Sequence, residues 1–303
     1  MSASEIILSR IRAGQAVLLS ADATSSLRAS GVTLEGLAPL GRLVRERPAE
    51  VLHHHEREVM AGVEIVCALT SETMPRALAQ VGMAFRSAAL TGSAIEMAMD
   101  AAVRAGRPVA VAGVLGGRTG AAVAPDRVAE ECAMHAARLA AAGCEIILAC
   151  SQGPFASKLG RMSAIISAST LRLPTWALVE VRGGRTSDGE DLSECAKSAV
   201  DSGAQVVLFD VATEADAIDA LDRVAGVLGE AKPGVLLGSG ASGPEAWSEA
   251  AKRLVSGGAH VVGGGPGTTT EHLAALARTL QGPRVTSSWP EPLEAHEPEP
   301  AAR

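Results

Sequence analysis

Gln205-Val-Val-Leu-Phe-Asp210, Gly234-Val-Leu-Leu-Gly-Ser239 and Ala259-His-Val-Val-Gly-Gly264 are three short apolar runs, separated by helical patterns over Glu214–Leu228 and Pro244–Gly257. They show almost no polar alternation, the mark of a strand buried on both faces. The same unit recurs upstream. Apolar runs occupy Ala16–Ser20, Val63–Leu69, Pro108–Gly113, Cys144–Cys150 and Thr175–Val181. Helical periodicity fills Val51–Gly62, Arg86–Gly106, Pro125–Gly143, Leu192–Gly203 and Thr268–Gln281, with a weaker pattern over Lys158–Leu171. Many of these helices end at glycine, which takes a left-handed cap without steric cost. Eight strand–helix units predict an α/β fold, a (β/α)8 TIM barrel in one domain over residues 1–282. A doubly wound open sheet is the competing architecture, and eight runs in 303 residues favour the barrel. Residues 283–303, rich in Pro and Glu, read as a disordered tail, or else as an arm anchored on a partner by Trp289.

Composition removes several function classes. The net charge is −7 and aromatic residues make up 2% of the chain, with no tyrosine. Nucleic-acid binders want a basic face and stacking rings, so no nucleic-acid partner is expected. No apolar run reaches the ~18 residues of a membrane span, and Met1 to Arg12 has no signal-peptide core, so no membrane partner is expected. The five cysteines (67, 132, 144, 150 and 195) are odd in number and form no CxxC pair. They read as reduced thiols of a cytoplasmic protein.

In a barrel the active site lies at the C-terminal ends of the strands, which turns the strand list into a site list. The first run leads into Ser20, Asp22, Thr24, Ser25 and Ser26, and the second into Thr70, Ser71 and Glu72. The third leads into Gly116, Gly117 and Arg118, and the fourth into Cys150, Ser151 and Gln152. The fifth ends in Glu180 and Arg182, the sixth in Asp210, the seventh in Ser239, and the eighth in a cluster including Gly264 and Gly265, followed by Thr268. Asp22, Glu180 and Asp210 would converge at the mouth, where three carboxylates suit a cationic ligand or a hard metal such as magnesium. The alternative is local pairing with Arg182 or Arg185. Cys150 is the thiol at a strand end, a nucleophile only if a positive neighbour activates it.

Gly238-Ser-Gly-Ala-Ser-Gly243 and Gly263-Gly-Gly-Pro-Gly267 are two glycine-rich loops that feed helices. Their N–H groups would suit an anion, or the glycines simply let the chain turn. His53-His54-His55 resembles a metal tract, but consecutive positions fan around a helix and are not expected to share one ion. His272, in the first turn of the last helix, is a further candidate near the glycine loop.

The order of these segments resembles the homocysteine S-methyltransferase family, a (β/α)8 barrel family, over roughly residues 15–282. Val17–Gly31 resembles its opening LLDGGMGTELQRRG segment. His55-Glu-Arg-Glu-Val-Met-Ala-Gly62 and Glu64 to Thr70 resemble its H-x-x-Y-x-x-AG-A-D-V-I-T-T-N-T segment. Gly263–Leu273 resembles its closing GG-C-C-GT-T-P-E-H-I signature, the most specific of the three. The departures fall on the chemistry. The resemblance implies zinc held by three cysteines, and those positions are Val211, Gly265 and Pro266 here. None can ligate zinc, whose work in the family is to lower the pKa of the homocysteine thiol. The opening Asp falls on Ser20, the Glu of GTEL on Ser26, the Asn of T-N-T on Leu69, and an E-T pair on Cys150-Ser151.

The expectation is therefore a repurposed, zinc-independent member of that family, leaning to an enzyme, with no cofactor. It would act on a small molecule at the mouth, by methyl or one-carbon transfer. Asp22, Glu180, Asp210 and Cys150 would carry the chemistry. Ser20, Thr24, Ser26, Thr70, Gln152, Arg182, Ser239, Gly264, Gly265 and Thr268 would bind the substrate. Two alternatives stand beside it: a non-catalytic binding or scaffold protein, and a lyase or isomerase for a phosphate-bearing ligand. A homodimer is the default assembly.

Overall fold

The computed structural model describes residues 1–117, 124–151 and 153–281. Its centre is a ring of eight parallel strands: β1 Val17–Leu18, β2 Ile65–Ala68, β3 Ala110–Leu115, β4 Ile146–Ser151, β5 Thr175–Arg182, β6 Val206–Val211, β7 Lys232–Leu237 and β8 Val261–Gly264. Each pairs with its sequence neighbour, and β8 pairs with β1. The remaining seam closes through a parallel bridge between Leu19 and Ile65. Glu64 N donates to Leu18 O at 2.9 Å and Ser20 N to Ile65 O at 3.1 Å across it. The ring is thus the expected (β/α)8 barrel. A two-residue strand, Arg185–Thr186, folds back antiparallel on the end of β5.

Among the described residues twelve helices surround the ring: α1 Ala3–Arg12, α2 Ala23–Ala29, α3 Pro39–Glu46, α4 Pro48–Met60, α5 Pro75–Ala79, α6 Ser87–Arg104, α7 Pro125–Ala141, α8 Lys158–Ser169, α9 Leu192–Asp201, α10 Glu214–Val224, α11 Pro244–Ser256 and α12 Thr270–Gln281. Successive strand side chains point to opposite faces. Ile146, Leu148 and Cys150 face the barrel interior with Leu19, Trp176, Leu178 and Leu208. Ile147 and Ala149 face outward into a separate layer under the helices, with Phe209, Trp247 and Leu276. Both faces are apolar, which explains why the runs do not alternate. Gly143 and Gly203 follow α7 and α9 with φ of +93° and +108°, the closing role expected of them.

Three differences from the sequence expectation matter. The N-terminal residues form α1, opened by a Ser2–Glu5 capping box, and its Ile7, Leu8 and Ile11 close the bottom of the barrel interior. Three helices rather than one lie between β1 and β2. The first strand is two residues long, so carboxylates supply part of its pairing. Glu64, buried, accepts from Leu18 N at 3.1 Å and pairs with Arg10 of α1. Arg118, Gln152 and the 283–303 tail with Trp289 lie outside the described residues. Among the described residues no helix is long and apolar enough to cross a membrane.

Glu64→Ala should therefore strip β1 of a partner for its Leu18 N–H and free Arg10 from the barrel floor. We expect a loss of about 1–3 kcal/mol, the cost of leaving a buried donor unpaired. Urea unfolding followed by tryptophan fluorescence would read it; an unchanged midpoint would remove Glu64 from the closure.

Candidate functional site at the barrel mouth

The C-terminal ends of the strands enclose a cavity of about 350 Å³, within the size range of small-molecule sites. Its apolar wall comes from Leu19, Val114, Leu148, Leu178 and Leu236, with Cys67, Cys150 and Asp210 set among them. Asp22, Thr24 and Ser20 follow β1 at the rim, Ser71 and Glu72 follow β2, and Gly264 to Pro266 follow β8. Of the residues singled out in the sequence, the structure brings together Ser20, Asp22, Thr24, Cys150, Asp210, Gly264 and Gly265, with Ser71, Glu72, Gly116, Gly117 and Pro266 beside them.

Others do different work. Glu180 sits beside Asp210 in the β5–β6 register, but its carboxylate takes Arg182 at 2.6 Å, and Arg182 projects into solvent at 73% exposure. Neither lines the cavity. Asp22 caps α2, accepting from Ser25 N at 3.0 Å. The three carboxylates therefore do not converge, and the hard-metal site expected of them is not assembled. Thr70 is buried and ties β2 to β3, accepting from Val114 N at 2.7 Å and donating to Val114 O at 3.0 Å. Thr268 is buried too, donating to Gly265 O at 2.6 Å and accepting from Asp22 N at 3.3 Å. Ser239 turns to Gly240 O, and the hydroxyl of buried Ser26 has no hydrogen-bond partner. None of these four lines the cavity. Gln152 lies outside the described residues.

Sequence reasoning did not single out Cys67 or Leu40 for the mouth, and it named Glu72 without its role there. Strand parity reveals Cys67, which is two residues beyond inward-facing Ile65. Glu72 accepts from Leu40 N at 2.6 Å and Gly41 N at 3.2 Å, so it anchors the start of α3 over the mouth. A side chain at Gly41 would lie 2.7 Å from Glu72 O, which is why the helix approaches there through glycine. Burial pushes the Glu72 carboxyl up, and the two amides pull it back. The thiols are held neutral. Burial, then the Asp210 carboxylate, push Cys150 up to about 12. Burial likewise raises Cys67, helped by Glu58 and Cys150. Cys150 is thus a polar wall atom and not the activated nucleophile considered from sequence.

The family model described as homocysteine S-methyltransferase matches residues 16–280. The chain belongs to the homocysteine S-methyltransferase family. Solved structures of the homocysteine methyltransferase MmuM from Escherichia coli are similar in fold. The metallated form gives a TM-score of 0.74 at 20% identity, covering 88% of this chain and 96% of that one. The apo form gives 0.66 at 21% identity, covering 86% and 94%. The carboxyl transferase domain of Rhizobium etli pyruvate carboxylase gives 0.53 at 14% identity, covering 84% of this chain and 41% of that one. No curated protein sequence matches.

Zinc does not fit the three positions that the family resemblance assigns to it. Val211 is buried at the end of β6, and Gly265 and Pro266 carry no donor atom. A Cβ at Gly265 would lie 2.9 Å from Gly238 N and 3.0 Å from Leu236 O. The backbone of β7 and the residue after it occupies the space a side chain at Gly265 would need. The same packing takes up several of the loop amides on which the anion reading rested. Gly265 N donates to Leu237 O, Ser239 N to Pro266 O, Gly267 N to Ser25 Oγ and Thr268 N to Gly265 O. His272 serves this packing as well: Nδ1 accepts from Thr269 N at 3.2 Å, and Nε2 lies 3.3 Å from Ser242 O.

The histidine tract divides around the helix. His53 is exposed, but His54 and His55 are both buried and both face Glu58. Burial pushes His54 down to about 4. His135 of α7, under Thr70 O at 3.2 Å, is also pushed down to about 4 by burial, against the raising effect of that carbonyl. For His135 the folded value lies below the unfolded value near 6.5. Its contribution is complete above pH 6.5 and is lost as the pH falls toward 4, by at most about 1.4 kcal/mol per pH unit. Melting temperature should fall between pH 6.5 and 4.5, above the carboxylate range, and His135→Asn should fall less steeply. An equal slope in the variant would remove His135 from that titration.

Proposed function

We propose that the chain is a transferase of small molecules that moves a methyl or other one-carbon group at the barrel mouth without zinc there. The observation that carries it is the cavity: Asp210 is 8% exposed in an otherwise largely apolar wall, where the family positions for zinc hold no donor. A carboxylate in a low-dielectric cavity favours a cationic ligand. A sulfonium methyl donor is the cation consistent with the family.

The step then needs no metal. The S–CH3 bond of the donor breaks with its electron pair going to sulfur, leaving a neutral thioether. The methyl forms its new bond to the acceptor's heteroatom, and the acceptor's proton passes to the Asp210 carboxylate as general base. The leucine wall excludes water and holds donor and acceptor in line. Asp22 and Thr24 at the rim orient the polar end of the substrate. Neutral Cys67 and Cys150 do not compete for the methyl group.

Thermal-shift titration with S-methylmethionine and S-adenosylmethionine would test this. At least one should raise the melting temperature of the wild-type chain, equally in the presence of EDTA. Asp210→Asn should weaken that binding at least tenfold, about 1.4 kcal/mol, with an unchanged far-UV circular dichroism spectrum. No shift with either donor, or a shift abolished by EDTA, would overturn the proposal.

A further inference from the structure

Behind β1, on the helix side of the barrel wall, α4 places His54, His55 and Glu58 together. The spacing is i, i+1, i+4, so both rings flank the carboxylate one turn on. All three are buried, at 1%, 0% and 0% exposure. Among the described residues they form a group of metal-ligating side chains whose donor atoms lie within 4.8 Å of one another. Glu58 Oε2 is 3.6 Å from His54 Nε2 and 3.4 Å from His55 Nδ1. Both exceed the 2.7–3.2 Å of an ordinary N–H···O bond. They match the roughly 3.3 Å that separates two ligand atoms of a tetrahedral ion bound at about 2.0–2.1 Å.

The electrostatics agree. Two neutral donors support the carboxylate: Ser20 Oγ on Oε2 and Ala21 N on Oε1, each at 3.0 Å. Its ion-pair partners among the described residues are the two imidazoles, with no arginine or lysine. Burying a carboxylate without a permanent positive partner is costly. His54 Nδ1 and His55 Nε2 have no hydrogen-bond partner, so neither ring is held there by a network of its own. We infer that His54, His55 and Glu58 form a structural site for a divalent cation of the zinc type, separate from the mouth. Two imidazole nitrogens and one carboxylate oxygen suit such an ion, and the Ser20 hydroxyl, 3.0 Å from Glu58 Oε2, stands beside them as a fourth donor atom.

The test uses the full chain expressed in zinc- or cobalt-supplemented medium, because the closed site must fill as the protein folds. Elemental analysis should find about one ion per chain. X-ray absorption should show nitrogen and oxygen neighbours at about 2.0–2.1 Å with imidazole scattering and no sulfur shell. Glu58→Gln and His54→Gln should each lower metal content at least tenfold, and His53→Ala should retain it. Folded wild-type protein without metal, a sulfur shell near 2.3 Å, or undiminished metal in Glu58→Gln would each overturn the inference. If the buried variants fail to fold, the wild-type absorption spectrum alone decides. Failure of the mouth proposal would leave this result untouched, since that proposal is read by sulfonium binding.

Discussion

Closure of the ring between β1 and β2 is the constraint on which the rest of the molecule depends. Only when the Leu19–Ile65 bridge forms do eight strand ends share one rim and enclose a cavity. Yet β1 is two residues long and is the least able to hold its own place. Two buried carboxylates compensate. Glu64 holds Leu18 N from the bottom of the strand, and Glu58 holds Ser20 Oγ and Ala21 N at its top. Each brings a charge into the interior, so each needs an answer in positive charge. Arg10 of α1 answers Glu64. The charge balance at Glu58 points to an ion.

The mouth and the seam are connected through Ser20. Its hydroxyl donates to Glu58 and accepts from Cys67 N at 2.9 Å, while the residue itself borders the cavity. The family's opening Asp falls on Ser20, and the Tyr of its H-x-x-Y segment falls on Glu58. Here the strand position carries a hydroxyl and the helix behind it carries the acidic group. The loops after β7 and β8 pack on one another, with Gly265 and Pro266 where the resemblance places cysteines. What remains in the cavity is Asp210 beside two neutral thiols, a setting for proton transfer and cation binding.

The barrel was legible because double burial leaves a plain signal: apolar runs at regular intervals with helices between them. The strand-end rule placed Asp210, Asp22, Ser20 and Cys150 at the mouth for the same reason. It failed for Glu180 because a nearby arginine captured the carboxylate, a contact that spacing does not encode. It failed for Thr70 and Thr268 because a short side chain at a strand end can bond the neighbouring backbone before it reaches a ligand. Spacing within the histidine tract alone does not show its relation to Glu58. Three consecutive residues cannot share a face, but two of them can flank a carboxylate a turn away, and Glu58 had been counted only as a motif position.

Anomalous diffraction at the zinc edge, from crystals of protein expressed in zinc-supplemented medium, tests the central claim most directly. The account predicts anomalous density between His54, His55 and Glu58 and none at the mouth, where Gly265 and Pro266 line the cavity with Asp210. Density at the mouth would show that the family's metal chemistry persists through other ligands, and would contradict the account.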